Sequence, residues 1–289
     1  MRVILTADLH YNHPRSRPLA DELIDQINRS GGDVLVFVGD TAVADGEVLE
    51  QCLGRVKFAG EKLFIAGNHE LWTNRSDSES IFREELPRRV RELGWRWLQT
   101  DPLTVGEVGF VGSVGWYDYA FADASLGIPE PFYRAKVSPR AAEMLGGYEP
   151  LLAQAGELSE SARSTVARWN DGKFIKLKQD DRAFVDELCD QLERQLESMK
   201  SLHTIVAAVH HLPFAELLPP VHPKALGFAR AFLGSPRVGE VLCRFENVRH
   251  AYCGHSHFYA AARVGQIDAI NIGSGYRSKR LETLDLQPF

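Results

Sequence analysis

Apolar positions along the chain follow two spacings. Arg2–Ala7, Asp33–Val38 and Lys62–Ala66 are short, nearly continuous apolar runs, the pattern of buried strands. Leu19, Leu23, Ile24 and Ile27 instead recur at helical intervals and predict a helix over Leu19–Ser30. Val48–Val56 carries a second helical stripe. Ser76–Leu93 carries a third, with Pro87 as a candidate break. Trp95–Leu98, Leu103–Val105 and Val108–Ser113 are short apolar runs parted by Gly, Pro and Asp, which predicts antiparallel pairing. The clearest amphipathic helix covers Asp180–Ser198, with Val185, Leu188, Leu192 and Leu196 in register. Thr204–Val209 reads as a strand, and Ser235-Pro236 as a helix cap followed by a first-turn proline. Arg249–Tyr252, Ala260–Val264, Gln266–Ile272 and Leu281–Leu286 complete the strands. The expectation is one α/β domain over residues 1–289, with an insertion or lid at about 118–200 where the pattern weakens.

Composition narrows the class. Of 289 residues, 44% are hydrophobic and 25% charged, which suits a globular chain with a substantial core. The net charge of −6, without a long basic run, argues against broad binding to nucleic acid. No apolar run is long enough to span a membrane. The four cysteines, Cys52, Cys189, Cys243 and Cys253, form no C-x-x-C pair and read as reduced thiols of a cytoplasmic protein. Met1–Asp8 lacks a signal-peptide layout.

Chemistry gathers where the apolar runs stop. The run from Leu63 to Ala66 passes straight into Gly67-Asn68-His69-Glu70, polar groups that are costly to bury. The same happens at Asp8 and His10, at Asp40, at His210 and His211, and at His255 and His257. In open α/β sheets, sites form beyond the carboxyl ends of strands, so these five segments can converge. Carboxylates, imidazoles and an amide oxygen suit Mn²⁺, Fe or Zn²⁺. In a strand, residues i and i+2 point to the same side, so Asp8 with His10 and His255 with His257 each offer two side chains to one place. The glycines before Asp40, Asn68 and His255 allow a sharp turn and a close approach. Each segment alone has an ordinary reading as a turn or a helix cap. Five in order do not.

The pattern D-x-H, G-D, G-N-H-E, H and G-H-x-H resembles that of the calcineurin-like metallophosphoesterase superfamily, from Asp8 to His257. The resemblance implies a four-layer αββα sandwich with mixed sheets and a dinuclear metal site at the carboxyl ends of the strands. By position, Asp8, His10 and His257 would hold one metal, and Asn68, His210 and His255 the other. Asp40 would bridge both, and His69 would face the phosphate and the leaving group. The implied activity is a metal-dependent phosphohydrolase that cleaves a phosphomonoester or phosphodiester by attack of a metal-bridging hydroxide. Two divalent ions are implied, with Mn²⁺ expected ahead of Fe or Zn²⁺.

The sequence departs from the family's pattern in one place. Many members carry Asp or Arg three positions after the bridging aspartate, and Val43 stands there. This excludes a protein-phosphatase assignment. Asp45 is the candidate substitute, with a solvated turn residue as its competing reading, and Glu70 is expected to orient its own loop. His210 is taken as the ligand because family members show the ligand first; His211 is left to contact phosphate or to pack. Substrate contacts are expected from His211, Trp116, Tyr117 and Arg134, with Trp169, Phe132 and Tyr133 as further aromatics of the insertion. Core packing is the competing reading for each aromatic. His13 is a candidate contact by proximity; His203, His222 and His250 fit no motif. The expected partner is a small phosphoester, with neither nucleic acid nor membrane. A nuclease of the same fold and an inactive metal-binding scaffold are the alternatives. The first is disfavoured by the acidic charge, the second by the complete ligand set.

Overall fold

A computed structural model describes residues 1–75, 77–221 and 223–287; Ser76, His222 and the last two positions lie outside it. The described residues form eleven strands: β1 Arg2–Thr6, β2 Val34–Val38, β3 Glu61–Ile65, β4 Arg96–Trp97, β5 Leu103–Val105, β6 Val108–Ser113, β7 Thr204–Val209, β8 Val248–Cys253, β9 Ala260–Val264, β10 Ile267–Asn271 and β11 Glu282–Asp285. They make two sheets, ordered β11-β1-β2-β3-β4 and β5-β6-β7-β8-β10-β9. Both are mixed. β1 to β4 run parallel with β11 antiparallel at the edge. β6, β7, β8 and β10 are parallel, flanked by antiparallel β5 and β9.

Strand alternation sorts the core into layers. Val3, Leu5, Val34, Val36, Leu63 and Ile65 pack with Phe110, Val206, Ala208 and Tyr252 as the filling between the sheets. The intervening Ile4, Leu35, Phe37 and Phe64 join a second cluster with Leu23, Ile24 and Ile27 of the helix Arg17–Ser30. On the other sheet, Ile205, Ala207 and Val209 join the same cluster as Val185, Leu188, Leu192 and Leu196 of the helix Asp181–Ser198. The order helix, sheet, sheet, helix is the expected αββα sandwich. Each buried Leu or Val of these stripes contributes about 1.5–3 kcal/mol.

The helix ends follow the local chemistry. Asp180 caps its helix by accepting from the Ala183 N–H, and Ser235 does the same with Arg237 ahead of the helix Pro236–Cys243. Pro87 does not break its helix. The turn Ile81–Glu85 widens to π geometry, with Leu86 N–H donating to Ile81 O, and the helix Leu86–Glu92 continues from it. The wider turn relieves the clash of the proline ring with the preceding carbonyls.

One expected pairing is corrected. β4, within Trp95–Leu98, does not join its sequence neighbours in an antiparallel group. It extends the first sheet parallel to β3, Leu63 opposite Arg96, while β5 and β6 pair antiparallel in the second. Trp95 and Trp97 explain the choice, because their rings pack on Phe37 and Phe64 on the outer face of the first sheet. Between β6 and β7, the described chain is helices and turns without a strand.

Candidate metal centre

All five polar segments lie just beyond the carboxyl ends of parallel strands. β1 leads to Asp8 and His10, β2 to Asp40, β3 to Asn68 and His69, β7 to His210 and β8 to His255 and His257. The pairs do not converge through strand alternation, because β1 and β8 have already ended. Asp8 (φ 54°), His10 (φ 42°), Asp40 (φ 51°), His255 (φ 69°) and His257 (φ 56°) all adopt the left-handed conformation. Such backbone is costly for a residue with a Cβ and gathers at functional sites. Cross-links hold it in place: Asp8 N–H donates to Gly39 O at 3.0 Å and His10 N–H to Asp40 O at 2.8 Å. His255 N–H donates to both Asp8 carboxylate oxygens at 3.0 and 3.1 Å, tying one sheet to the other. Glu70 does more than order its own loop. Its buried carboxylate accepts from Gly67 N–H at 2.6 Å and from Asp40 and Ala42 N–H at 2.9 Å, joining the loops after β2 and β3. Burial pushes its pKa up to about 7.

The side chains form two clusters that share one member. Asp8, His10, Asp40 and His257 place ligand-capable atoms within 4.8 Å of one another, and so do Asp40, His210 and His255. Asp40 turns a different oxygen to each: Oδ1 lies 3.3 Å from His210 Nε2, and Oδ2 lies 3.8 Å from His10 Nε2. Asn68 Oδ1, His210 Nε2 and His255 Nδ1 are buried without a hydrogen-bond partner. Buried polar atoms are rarely left so unless an ion or water completes them. Hard and borderline donors, orphaned atoms and a shared carboxylate fit divalent cations. Burial lowers the His10 and His255 pKa values well below the usual imidazole range, which favours the neutral, ligating form. Burial also pulls His210 down, but the Asp40 carboxylate outweighs it and raises that pKa to about 9.

His69 lies beside the clusters. Its Nε2 is 3.8 Å from Asp40 Oδ2 and its ring stacks on Trp72 at 3.7 Å. It borders a cavity of about 320 Å³ lined by Asp40, Asn68, His255 and His257 together with Trp72, Arg168, Trp169, Leu226 and Leu233 among others. A family model for calcineurin-like phosphoesterases matches residues 1–259. The chain belongs to the calcineurin-like phosphoesterases. As a phosphoesterase it resembles in fold the crystal structure of phosphopantetheinyl hydrolase from Mycobacterium tuberculosis, at 20% identity and a TM-score of 0.68, over 95% of this chain and 89% of that one. A dimetal phosphatase from Danio rerio is similar at 13% identity and a TM-score of 0.49, over 98% of this chain and 91% of that one. No curated protein matches the sequence.

The expected substrate contacts of this phosphoesterase fall elsewhere. Trp116 and Tyr117 are fully buried, and neither lines the cavity. Arg134 is exposed and pairs with Glu130. His211 is buried with Nδ1 2.7 Å from Val114 O, outside both clusters. Asp45 binds Thr73 Oγ1, Asn74 N–H and the Arg75 guanidinium, a loop-ordering role. Phe132 and Tyr133 are core residues, whereas Trp169 does border the cavity. His13 reaches the neighbourhood through Tyr276, 4.7 Å between rings. His250 lies 4.0 Å from Asp268 and His203 beside Thr204; His222 is outside the described residues. Sequence reasoning missed Trp72, Tyr276 and Asp171. Tyr276 stacks on His10 at 4.4 Å, and its signal was Gly273-Ser274-Gly275 after β10, another strand end. Among the described residues no helix is long and apolar enough to cross a membrane.

Proposed function

We propose that this phosphoesterase is a two-metal phosphohydrolase acting on a small phosphoester. The observation that carries this reading is the division of the Asp40 carboxylate, one oxygen toward each ligand cluster. Asp8, His10 and His257 with Asp40 would hold one ion, and Asn68, His210 and His255 with Asp40 the other. Two such ions, when bound, neutralise phosphate charge and lower the pKa of water between them. Mn²⁺ is the ion of first choice for this mixed set of carboxylate, imidazole and amide donors.

The chain's own residues supply the rest. Asp8 and Asp40 bring two negative charges into a buried site, so two divalent cations leave it positive and ready for a phosphate. His69 lines the cavity beside Asp40, where its imidazole would hold a proton against the leaving oxygen. Burial lowers its pKa, and the approach of an anionic ester would raise it again. Trp72, Trp169, Leu226 and Leu233 make much of the lining apolar, which suits a leaving group with a flat or apolar portion, and Arg168 adds a cationic group there. Trp169 comes from the span at about 118–200, which supports an insertion serving as one wall of a single domain. The net charge of −6 counts against a nuclease. Four free cysteines suit a reducing, cytoplasmic setting.

Turnover of a panel of monoesters and diesters by Mn²⁺-loaded protein tests the reading. The panel should include aryl phosphates, alkyl phosphates and a phosphopantetheinyl ester, the group named for the Mycobacterium tuberculosis protein of similar fold. Hydrolysis is expected with the wild type and near-abolition with Asp40→Asn. Undiminished activity in Asp40→Asn would end the two-metal reading.

A further inference from the structure

Asp171 begins the short helix Asp171–Phe174 and is buried, yet it belongs to neither ligand cluster. Four donors converge on its carboxylate. Oδ1 accepts from Asn68 Nδ2 at 2.8 Å and from Trp72 Nε1 at 2.6 Å. Oδ2 accepts from Trp169 Nε1 at 2.8 Å and from Tyr117 OH at 3.0 Å. An indole N–H can only donate, so the Trp72 and Trp169 contacts by themselves require Asp171 to accept.

This fixes a choice that the shape of Asn68 leaves open. A carboxamide keeps its shape when oxygen and nitrogen are exchanged, and only its partners decide between them. Against an accepting carboxylate, the amide nitrogen must face Asp171. The oxygen is then turned the other way, where it is buried and without a protein partner. Asn68 lines the cavity together with Asp40 and His255.

We propose that Asp171 is a positioning residue for the second cation: it holds the Asn68 amide with its oxygen presented as a ligand. The proposal rests on the two-metal reading above. A ligand that rotates freely presents its oxygen part of the time and its NH₂, which repels a cation, for the rest. Supports of this kind are worth roughly 10–100-fold in metal affinity. The carboxylate reaches the centre from the span between β6 and β7, so an element far from the strand ends sets the geometry of a ligand on the loop after β3.

The test is a Mn²⁺ titration of metal-free protein, read by calorimetry and by metal content after dialysis. The wild type is expected to bind two ions. Asp171→Asn puts an NH₂ among donors, so it is expected to weaken one binding step by roughly 10–100-fold and to leave the other unchanged. Tyr117→Phe removes another of the four donors without touching the Asn68 contact, and both steps should persist. The pair Asn68→Asp with Asp171→Asn reverses donor and acceptor and is expected to recover part of the lost step, which a loss of packing alone would not do. Two equal, unweakened steps in Asp171→Asn would overturn the proposal and leave the two-metal reading standing. A single step in the wild type would overturn the two-metal reading itself. Should Asp171→Asn not fold, a crystal structure of the Mn²⁺-loaded wild type decides. Asn68 is expected to coordinate with its amide nitrogen on Asp171, and an Asn68 turned away from the ion would refute the role.

Discussion

At the scale of single residues, the site depends on atoms that are absent as much as on those present. Gly67 precedes Asn68, and a Cβ there would fall against the Asp40 carboxylate and within 2.6 Å of His210 Nε2. Both of those groups are held by hydrogen bonds, Asp40 by Glu70 and the His69 N–H, and His210 by Val38 O, so neither withdraws freely. Gly67→Ala is therefore expected to disturb both clusters at once. Mn²⁺ affinity should fall by at least the roughly 10–100-fold seen when ligand support is lost; metal content after dialysis checks this, and full occupancy would contradict it. His69 calls for the opposite outcome. It is outside both ligand clusters, so His69→Ala should keep the metals. If the imidazole protonates the leaving oxygen, turnover of an alkyl phosphate should fall by roughly 10²–10⁴. Nitrophenyl phosphate leaves well without a proton and should lose less. Equal losses for the two esters would assign His69 to phosphate binding instead.

At the scale of elements, the strand ends were legible because apolar runs that stop at Asp, Asn or His break the rule for buried segments. The ligand segments could be read that way; the αββα order followed only from the resemblance of those segments to the family's pattern. The means of convergence could not. Side-chain alternation accounts for i and i+2 only while a strand lasts, and Asp8, His10, His255 and His257 lie past the ends of β1 and β8 in left-handed backbone. The walls of the cavity were equally hidden, since Trp72, Leu226 and Leu233 have the apolar character of ordinary core positions. β4 was misplaced because a two-residue strand carries no periodicity of its own; tryptophan packing decided its sheet. The end of β7 shows how finely such an element divides its work. His210 turns into the site, while His211 Nδ1 donates to Val114 O beyond β6. Burial, with His210 adding to it, pulls the His211 pKa down to about 3. An unfolded histidine titrates near 6.5, so the unfolded chain takes up this proton first. The stability His211 contributes is thus present above about pH 6.5 and is lost as pH falls from there toward 3. His211→Leu should cost about 0.5–1.5 kcal/mol at neutral pH by removing the ring's bond to Val114 O, which keeps the His211 backbone N–H as its donor, yet flatten the acid slope. Urea melts of metal-free protein between pH 7.5 and 4.5 would show this as a narrowing gap between the two proteins; parallel slopes would refute it.

At the scale of the whole molecule, the candidate centre is a seam between the two sheets. Asp8, His10, Asp40 and Asn68 follow strands of the first sheet, and His210, His255 and His257 follow strands of the second. Each cluster draws on both: His257 joins the first, and Asp40 joins His210 and His255 in the second. A cation in either would cross-link the sandwich at one edge. Across that same edge the protein's own ties include the His255 N–H on Asp8 and His210 Nδ1 on Val38 O. Ions that bind the folded chain and not the unfolded one stabilise it by mass action, about 2.7 kcal/mol for each site at a hundredfold excess over its dissociation constant. For a chain of this size each kcal/mol moves the melting temperature by roughly 2 °C. Filling both sites should therefore raise Tm by roughly 10 °C, and chelation should reverse it. The variants separate the causes. Asp40→Asn alters the one member common to both clusters and should lose most of the rise. His69→Ala, which removes no ligand, should keep it. A rise that survives Asp40→Asn would mean that Mn²⁺ acts somewhere other than the seam, and a rise half as large in the wild type, with one ion retained after dialysis, would mean that only one cluster is a metal site.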